Sequence, residues 1–264
     1  LRHALAPLCE AMDDAALAEQ CEQLGRRIQA ATVRKFWSPR HGLYVNNLPW
    51  LEEEGGVRMC DRSLATAILF DQCPGGNTRN ALQALIGCPP ELGFSYPANA
   101  GWRLWALAKE GRTDVVLKDL RERWATMNSV ILNNTLQENW SAPFDTGAQW
   151  SHCPVAPVYV LFMSVAGIQP LEPGFQRCEI RPQLADLEEL NLTAYTVLGS
   201  IVFHSQGKPG NRRITLSLPE GMQGELVLAQ SEKIDLPLIN QDQPIGCARY
   251  RMTANELAFT LLNS

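Results

Sequence analysis

Residues 165–182 read VAGIQPLEPGFQRCEIRP, and the character of the sequence changes within this stretch. Before it, apolar residues recur every three or four positions, which is typical of helices. After Pro173 and Gly174, apolar and polar residues alternate in short runs separated by Gly, Pro and Asn, which is typical of strands. The stretch therefore predicts a boundary near residue 172, with a helical domain over 1–172 and a β domain over 173–264.

The helical part begins with a capped amphipathic segment. Asp13 and Asp14 precede apolar residues in 4-3-4-3 spacing, which predicts an N-cap and a helix that ends near Trp37. The segment 151–166 has almost no polar residue, which predicts a helix buried on all sides. The remaining helices are predicted over 61–70, 78–86, 99–110 and 113–124.

The β part consists of short alternating runs, and none of the seven tryptophans lies in it. Such runs, divided by turn residues, predict a small antiparallel β-sandwich of about 90 residues. The strands are predicted within 178–182, 190–198, 199–206, 212–219, 224–230 and 257–262.

The composition excludes several classes of function. The chain has 264 residues, of which 45% are hydrophobic and 19% charged, and its net charge is −5. A folded core is therefore expected, whereas binding to nucleic acid or an anionic membrane surface is not, because that needs clustered Lys and Arg. No apolar run approaches the roughly 18 residues of a membrane-spanning helix. We expect a soluble protein.

The eight cysteines form no CxxC pair and accompany no paired histidines. This pattern disfavours a zinc site and a dense disulfide framework, and it predicts reduced thiols in a cytoplasmic protein. We expect no metal and no cofactor. The chain opens at Leu1 rather than at Met, so we expect the natural N-terminus to lie upstream. That expectation leaves secretion of the parent protein open.

The candidate site lies in a long segment with little helical signal, residues 124–151. Loops of this length in compact domains are usually functional or disordered, and the aromatic residues here argue against disorder. Glu138 stands among amides and beside Trp140, a combination that suits sugar binding. Glycoside hydrolysis requires two carboxyl groups, and Glu138 could be one of them. The alternative is a loop carboxylate that caps a helix or pairs with an Arg.

Four motifs extend this interpretation. They are TLQENW at 135–140, SH at 151–152, VAGIQPLEPGF at 165–175 and IRP at 180–182. In this order they resemble the C-terminal part of bacterial inverting α-L-rhamnosidases. Weaker matches, shared with other six-hairpin glycosidases, lie at 36–37, 42–44 and in the 99–124 hairpin. The resemblance covers essentially the whole chain.

The resemblance implies a fold that the periodicity does not provide, an (α/α)6 barrel of the six-hairpin glycosidase type followed by a β-sandwich. The helices before residue 172 are too few for a complete barrel. The resemblance therefore implies the second half of the barrel plus the sandwich, with the upstream half of the same polypeptide as its partner. The general acid would lie in that upstream half.

The resemblance also implies roles for individual residues. Glu138 matches the family's general base, and Trp140 matches an aromatic that would stack on the sugar. His152 matches a histidine at a helix start that contacts a sugar hydroxyl. Gln137 stands where the family usually has Trp, which removes one ring from the site wall. The expected ligand is a rhamnose-containing glycoside or oligosaccharide.

Other residues have a structural and a functional interpretation side by side. Asp61 and Arg62 begin a predicted helix, where an aspartate suits the positive end of the dipole, but a sugar contact is also possible. Trp150 is a further candidate for substrate binding. We expect 52–54 to be a solvated acidic loop face and Asp145 to support the site indirectly at best. Trp102 and Trp105 fit core packing, with a sugar subsite as the alternative.

The sequence thus predicts a glycoside hydrolase fragment that cleaves terminal α-L-rhamnosides with inversion. Two alternatives remain. One is a carbohydrate-binding protein without catalysis, suggested by Gln137 and by the missing acid. The other is a six-hairpin hydrolase of another glycoside, because specificity depends on a few hydroxyl contacts.

Overall fold

The computed structural model describes residues 1–45, 58–143, 146–229, 231–235, 239–242, 247–252 and 255–263. The chain forms two compact units. The first comprises Leu1–Glu110 and Gln137–Pro154, and the second comprises Gly111–Leu136 and Val155–Ser264. The acidic stretch 52–54 and Asp145 lie outside the described residues.

The first unit contains five described helices and four two-residue strands. The helices are α1 (Leu5–Ala11), α2 (Ala15–Phe36), α3 (Asp61–Leu69), α4 (Arg79–Gly87) and α5 (Pro97–Lys109). The strands are β1 (Trp37–Ser38), β2 (Leu43–Tyr44), β3 (Met59–Cys60) and β4 (Leu92–Gly93), which pair as β1–β2 antiparallel and β3–β4 parallel. A 3-10 turn follows α3 at Pro74–Gly76.

The predicted first helix is confirmed, including its cap. The Asp14 side chain accepts a hydrogen bond from the Leu17 amide at 3.0 Å, and the helix ends at Phe36. Its apolar stripe, however, is only partly covered within the described residues. Leu24 and Ile28 are 46% and 51% exposed.

The core of the first unit lies between α3, α4 and α5. Leu64, Ile68 and Leu104 are completely buried there. Trp102 and Trp105 stack on each other, with ring centroids 5.8 Å apart and planes 24° apart. Both tryptophans are half-buried, so the stacking agrees with their interpretation as packing residues.

The helices of the second unit are shorter than predicted. They are α6 (Thr113–Asp119), α7 (Asn128–Asn133) and α8 (Ala156–Val160), and π-helical turns at Leu120–Trp124 and Leu161–Val165 extend α6 and α8. The prediction of one helix over 151–166, buried on all sides, was wrong. The helix begins at Ala156, because Pro157 lacks an amide hydrogen and suits only a first turn. Val155 and Val158 are 46% and 54% exposed.

Two five-stranded sheets make up most of the second unit. Their orders are β12-β13-β10-β6-β5 and β11-β14-β9-β8-β7. The strands are β5 (Ile168–Pro170), β6 (Arg177–Ile180), β7 (Glu189–Thr196), β8 (Gly199–Lys208), β9 (Asn211–Ser217), β10 (Gln223–Ala229), β11 (Glu232–Ile234), β12 (Ile239–Asp242), β13 (Cys247–Arg251) and β14 (Glu256–Asn263). All of the predicted strands are present.

Residues of both sheets share one core, as expected of a sandwich. Ile180 and Leu226 from one sheet and Phe203 and Ile214 from the other are completely buried in the same cluster. The prediction of a purely antiparallel arrangement was wrong at one pair of strands: β6 and β10 pair in parallel. A sequence pattern cannot reveal this pairing, since alternation is the same in either direction.

Gly167 joins the helical segment to β5 within the motif VAGI. Its φ is +73°, and a Cβ at this position would lie 1.9 Å from the Arg181 carbonyl oxygen. The Arg181 amide donates to the Gly167 carbonyl at 3.0 Å, so the two backbones are in direct contact. Only glycine fits this position.

Candidate functional site

The turn at residues 137–140 carries the candidate carboxylate. Glu138 is exposed, and its backbone amide donates to the Ala148 carbonyl oxygen at 2.8 Å. Ala148 belongs to a 3-10 turn at Gly147–Gln149. The backbone of Glu138 is thus fixed while its side chain faces solvent. This arrangement suits a group that must reach a substrate or a water molecule.

Gln137 holds the turn from inside. Its side chain is only 1% exposed. Its Nε2 donates to the carbonyl oxygens of Asn139 at 2.7 Å and Trp140 at 3.0 Å. Gln137 therefore has a clear local role, because its amide closes the backbone around Glu138.

Trp140 connects the turn to a loop that is distant in sequence. Its indole Nε1 donates to the Ser95 carbonyl oxygen at 2.9 Å. Ser95 lies between β4 and α5 and donates twice to Asp61 Oδ1, from its amide at 3.0 Å and from its hydroxyl at 2.6 Å. The structure thus places Asp61, at the start of α3, two hydrogen-bonded steps from Trp140.

The two predicted residues at the start of α3 differ sharply in exposure. Asp61 is completely buried, and its Oδ1 also accepts from the Arg62 amide at 2.7 Å. Its Oδ2 is buried without a hydrogen-bond partner among the described residues. The Arg62 side chain is exposed. Arg62 can therefore reach a ligand from solvent, whereas Asp61 presents no surface to one.

Trp150 and His152 follow the same segment toward its end. Trp150 is 53% exposed and His152 is also exposed. His152 Nε2 lies 3.7 Å from the Cys153 thiol, and the Cys153 amide donates to the Ser151 hydroxyl at 3.3 Å. The expectation that His152 stands at a helix start was wrong, since α8 begins four residues later at Ala156.

All six predicted site residues lie in the first compact unit. Hydrogen bonds connect Asp61 with Trp140 through Ser95, and the amide of Arg62 joins the same carboxylate. Glu138 is tied to Ala148, just before Trp150. The structure therefore gathers the start of α3, the loop before α5 and the turn that carries Glu138.

The loop before α5 belongs to the site region although the sequence motifs did not point to it. Phe94 and Tyr96 are 43% and 64% exposed on either side of Ser95. The Arg103 guanidinium carbon lies 5.8 Å from the centroid of the Phe94 ring. The sequence signal was present as GFSYP at 93–97, two aromatics just before a proline that begins a helix.

Within the part of the chain that the structure describes, no three His, Cys, Asp or Glu side chains form a group that could hold a metal ion. The described helices also include none that is both long and apolar enough to cross a membrane.

Residues 167–237 match the family model of the bacterial alpha-L-rhamnosidase C-terminal domain. No curated protein sequence matches the chain. The matched range begins at Gly167 and includes β5 to β11; within it, residues 230, 236 and 237 lie outside the described residues.

Solved structures resemble the chain over nearly its whole length. An α-L-rhamnosidase from Dictyoglumus thermophilum has a TM-score of 0.76 at 16% identity, over 98% of this chain and 30% of that one. The Streptomyces avermitilis α-L-rhamnosidase, solved with L-rhamnose, has a TM-score of 0.74 at 17% identity, over 97% and 25%. An α-L-rhamnosidase from Aspergillus terreus has a TM-score of 0.71 at 15% identity, over 97% and 28%.

These findings confirm the resemblance inferred from the motifs. The chain is similar to the C-terminal part of α-L-rhamnosidases, in sequence over 167–237 and in fold over almost all of its length. It spans only 25% to 30% of the length of these three relatives. At such low identity the structural likeness establishes the fold alone.

Proposed function

We propose that the chain is the C-terminal part of a glycoside hydrolase that cleaves terminal α-L-rhamnosides with inversion of configuration. The observation that carries this proposal is the exposed carboxylate of Glu138 on a turn fixed by its own backbone, by Gln137 and by Trp140. The similarity to α-L-rhamnosidases supplies the substrate class.

The proposed reaction uses Glu138 as the general base. Its carboxylate takes a proton from a water molecule while that water attacks the anomeric carbon, and the bond to the leaving oxygen breaks. A carboxylic acid donates a proton to the leaving oxygen. In inverting enzymes the two carboxyl groups lie roughly 6.5–9.5 Å apart, which leaves room for the water. We propose that this acid lies upstream of residue 1.

The side chains around Glu138 would hold the sugar. The half-buried indole of Trp140 and the exposed indole of Trp150 offer flat apolar faces for a pyranose ring. Arg62 and His152 are exposed and can donate hydrogen bonds to hydroxyl groups. For Asp61 complete burial points to an indirect role.

The upstream half of the polypeptide is part of this proposal. We propose that the helices up to residue 172 form the second half of an (α/α)6 barrel and that 173–264 form the sandwich domain. Support comes from apolar side chains that remain exposed on α1 and α2 and at the end of α1. These side chains are 46% to 72% exposed: Leu5, Leu8, Leu24, Ile28 and Met12, the residue after α1. Faces of this kind normally pack against another surface.

Hydrolysis of an aryl α-L-rhamnopyranoside by the full-length protein tests the proposal. We expect Glu138→Gln to lower kcat by about 10²- to 10⁴-fold, the usual contribution of a general base. Glu220→Gln, at an exposed glutamate in a sandwich turn, is the matched control and should keep full activity. Proton NMR of the first product formed should show the inverted anomer.

Other results would select among the alternatives. Near-normal turnover of Glu138→Gln would reject Glu138 as the base. Rhamnose binding without hydrolysis would favour a carbohydrate-binding protein. Cleavage of a different glycoside would support glycoside hydrolysis but reject rhamnose as the sugar that is released.

A further inference from the structure

Asp61 is an unusual residue for the start of a helix because its carboxylate is completely buried. A buried charge is costly unless hydrogen bonds compensate it. Its Oδ1 accepts from the Arg62 amide, the Ser95 amide and the Ser95 hydroxyl at 2.7, 3.0 and 2.6 Å. The hydrogen bond from the Arg62 amide is what an aspartate in the first turn of a helix normally makes, at the positive end of the helix dipole. The two bonds to Ser95, 34 residues away, need a different explanation.

The amide and the hydroxyl of Ser95 both donate to Asp61, so the Ser95 carbonyl oxygen is the group that can accept a hydrogen bond from another residue. That carbonyl accepts the indole hydrogen of Trp140 at 2.9 Å. Asp61 therefore fixes the backbone to which Trp140 is attached. Trp140 in turn lies two residues after Glu138, in a turn that the Gln137 amide closes.

We propose that Asp61 is a positioning residue, which acts through Ser95 and Trp140 to hold the turn that carries Glu138. It does not contact the substrate. The catalytic consequence rests on the proposed function of Glu138, whereas the connection from Asp61 to the Trp140 indole does not depend on any activity. The two can therefore be tested separately.

The first test observes the Trp140 indole directly in the full-length protein. Its ¹H–¹⁵N resonance can be assigned because it disappears in Trp140→Phe. We expect Asp61→Ala to shift this resonance and to accelerate indole hydrogen exchange by about fivefold or more, the effect of losing one typical hydrogen bond. Asp61→Asn keeps an acceptor oxygen and should restore both values toward those of the unmodified protein.

Two variants control for general loss of structure. Ser95→Ala removes only the hydroxyl bond to Asp61 and should give a smaller shift in the same direction. Asp114→Ala removes another aspartate from the first turn of a helix, where it pairs with Arg112, and should leave the Trp140 resonance unchanged. An unchanged Trp140 resonance in a folded Asp61→Ala variant would overturn the proposal.

The second test measures hydrolysis of the aryl α-L-rhamnopyranoside. A small displacement of a catalytic group can cost about 100-fold, so we expect a loss of that order in kcat/KM for Asp61→Ala and recovery in Asp61→Asn. In a double-mutant cycle, Asp61→Ala should have little further effect once Trp140 is Phe, because both changes break the same link. Additive losses would contradict the link.

The outcomes for the two proposals are distinct. A full-length protein without glycosidase activity would reject the proposed function, and the indole measurement would still decide the role of Asp61. An active protein with full activity in Asp61→Ala would reject the positioning role and leave the proposed function intact.

Discussion

The side-chain amide of Gln137 is bonded to the backbone of Trp140, with 3.0 Å between Nε2 and the Trp140 carbonyl oxygen. The same nitrogen donates to the Asn139 carbonyl at 2.7 Å, and the whole side chain is buried. A glutamine in place of the tryptophan that the resemblance leads us to expect therefore does more than remove a ring. It fixes the turn that presents Glu138.

We expect Gln137→Glu to disrupt this turn. The carboxylate has no donor for the two carbonyl oxygens and buries a negative charge beside them, which should cost about 1–3 kcal/mol of stability. We also expect about a 10- to 100-fold loss of kcat toward the aryl rhamnoside, because Glu138 moves. Thermal denaturation and steady-state kinetics measure the two effects. Gln206→Glu, on an exposed position of β8, is the matched control.

Acid should weaken the sandwich through Glu225. Burial raises the pKa of this carboxyl, but the hydrogen bonds and charges of Arg177 and Arg249 outweigh it and hold the pKa below its ordinary value of 4.5. A lowered pKa in the folded state contributes stability that is complete above about pH 4.5 and is lost as the pH falls through the folded-state pKa.

Replacing this carboxylate should make the free energy of unfolding less dependent on pH in acid. We expect Glu225→Gln to lower the free energy of unfolding at neutral pH and to reduce its decrease below about pH 4.5. Denaturation of the full-length protein at a series of pH values measures the slope. Glu256→Gln, an exposed glutamate on β14, should retain the original slope. An identical slope in Glu225→Gln would contradict this assignment.

Gly167→Ala should be strongly destabilising. The added Cβ would lie 1.9 Å from the Arg181 carbonyl oxygen, and φ is +73°. The backbones must separate, which breaks the start of β5, and we expect a loss of at least about 3 kcal/mol. Gly87→Ala meets no atom within 4 Å and should be nearly neutral. Comparable melting temperatures for the two variants would show that the contact at Gly167 can relax.

Thiol labelling should distinguish Cys153 from Cys178. Burial, and secondarily the charge of Glu225, raises the pKa of Cys178 to about 11, and its side chain is completely buried. Cys153 is exposed. In the native protein at about pH 8, we expect a maleimide to modify Cys153 and to leave Cys178 unmodified, since the thiolate is the reactive form. Mass spectrometry of peptides measures the modification of each cysteine, and the Cys153→Ser variant shows the labelling that does not come from Cys153.

The 264-residue chain, expressed alone, should associate. Leu8, Leu24 and Ile28 on α1 and α2 are 46% to 54% exposed, and apolar faces of this kind promote aggregation. We expect light scattering to detect oligomers or aggregates, and the triple change of these residues to Lys should reduce them. A monodisperse monomer of the unmodified chain that melts cooperatively would contradict the half-barrel proposal.

Local patterns in the sequence were sufficient for most of the secondary structure. The cap at Asp14, the helix that ends at Phe36 and the strands from β6 to β10 follow from short-range spacing and from turn residues, because those signals depend on neighbours along the chain. The motif around Glu138 identified the candidate site, and the comparisons confirmed the resemblance.

Tertiary structure decided the parts that depend on residues distant in sequence. The parallel pairing of β6 with β10 is of this kind. So is the complete burial of Asp61, which looked like an ordinary residue at a helix start. The role of Gln137 is a different case: its bonds to Asn139 and Trp140 are local in sequence, but the buried side-chain conformation that makes them is set by packing. Burial and hydrogen-bond partners are set by the packing of the whole unit. A sequence motif can therefore indicate which residues are candidates for a site, but it cannot determine which other groups each of them contacts.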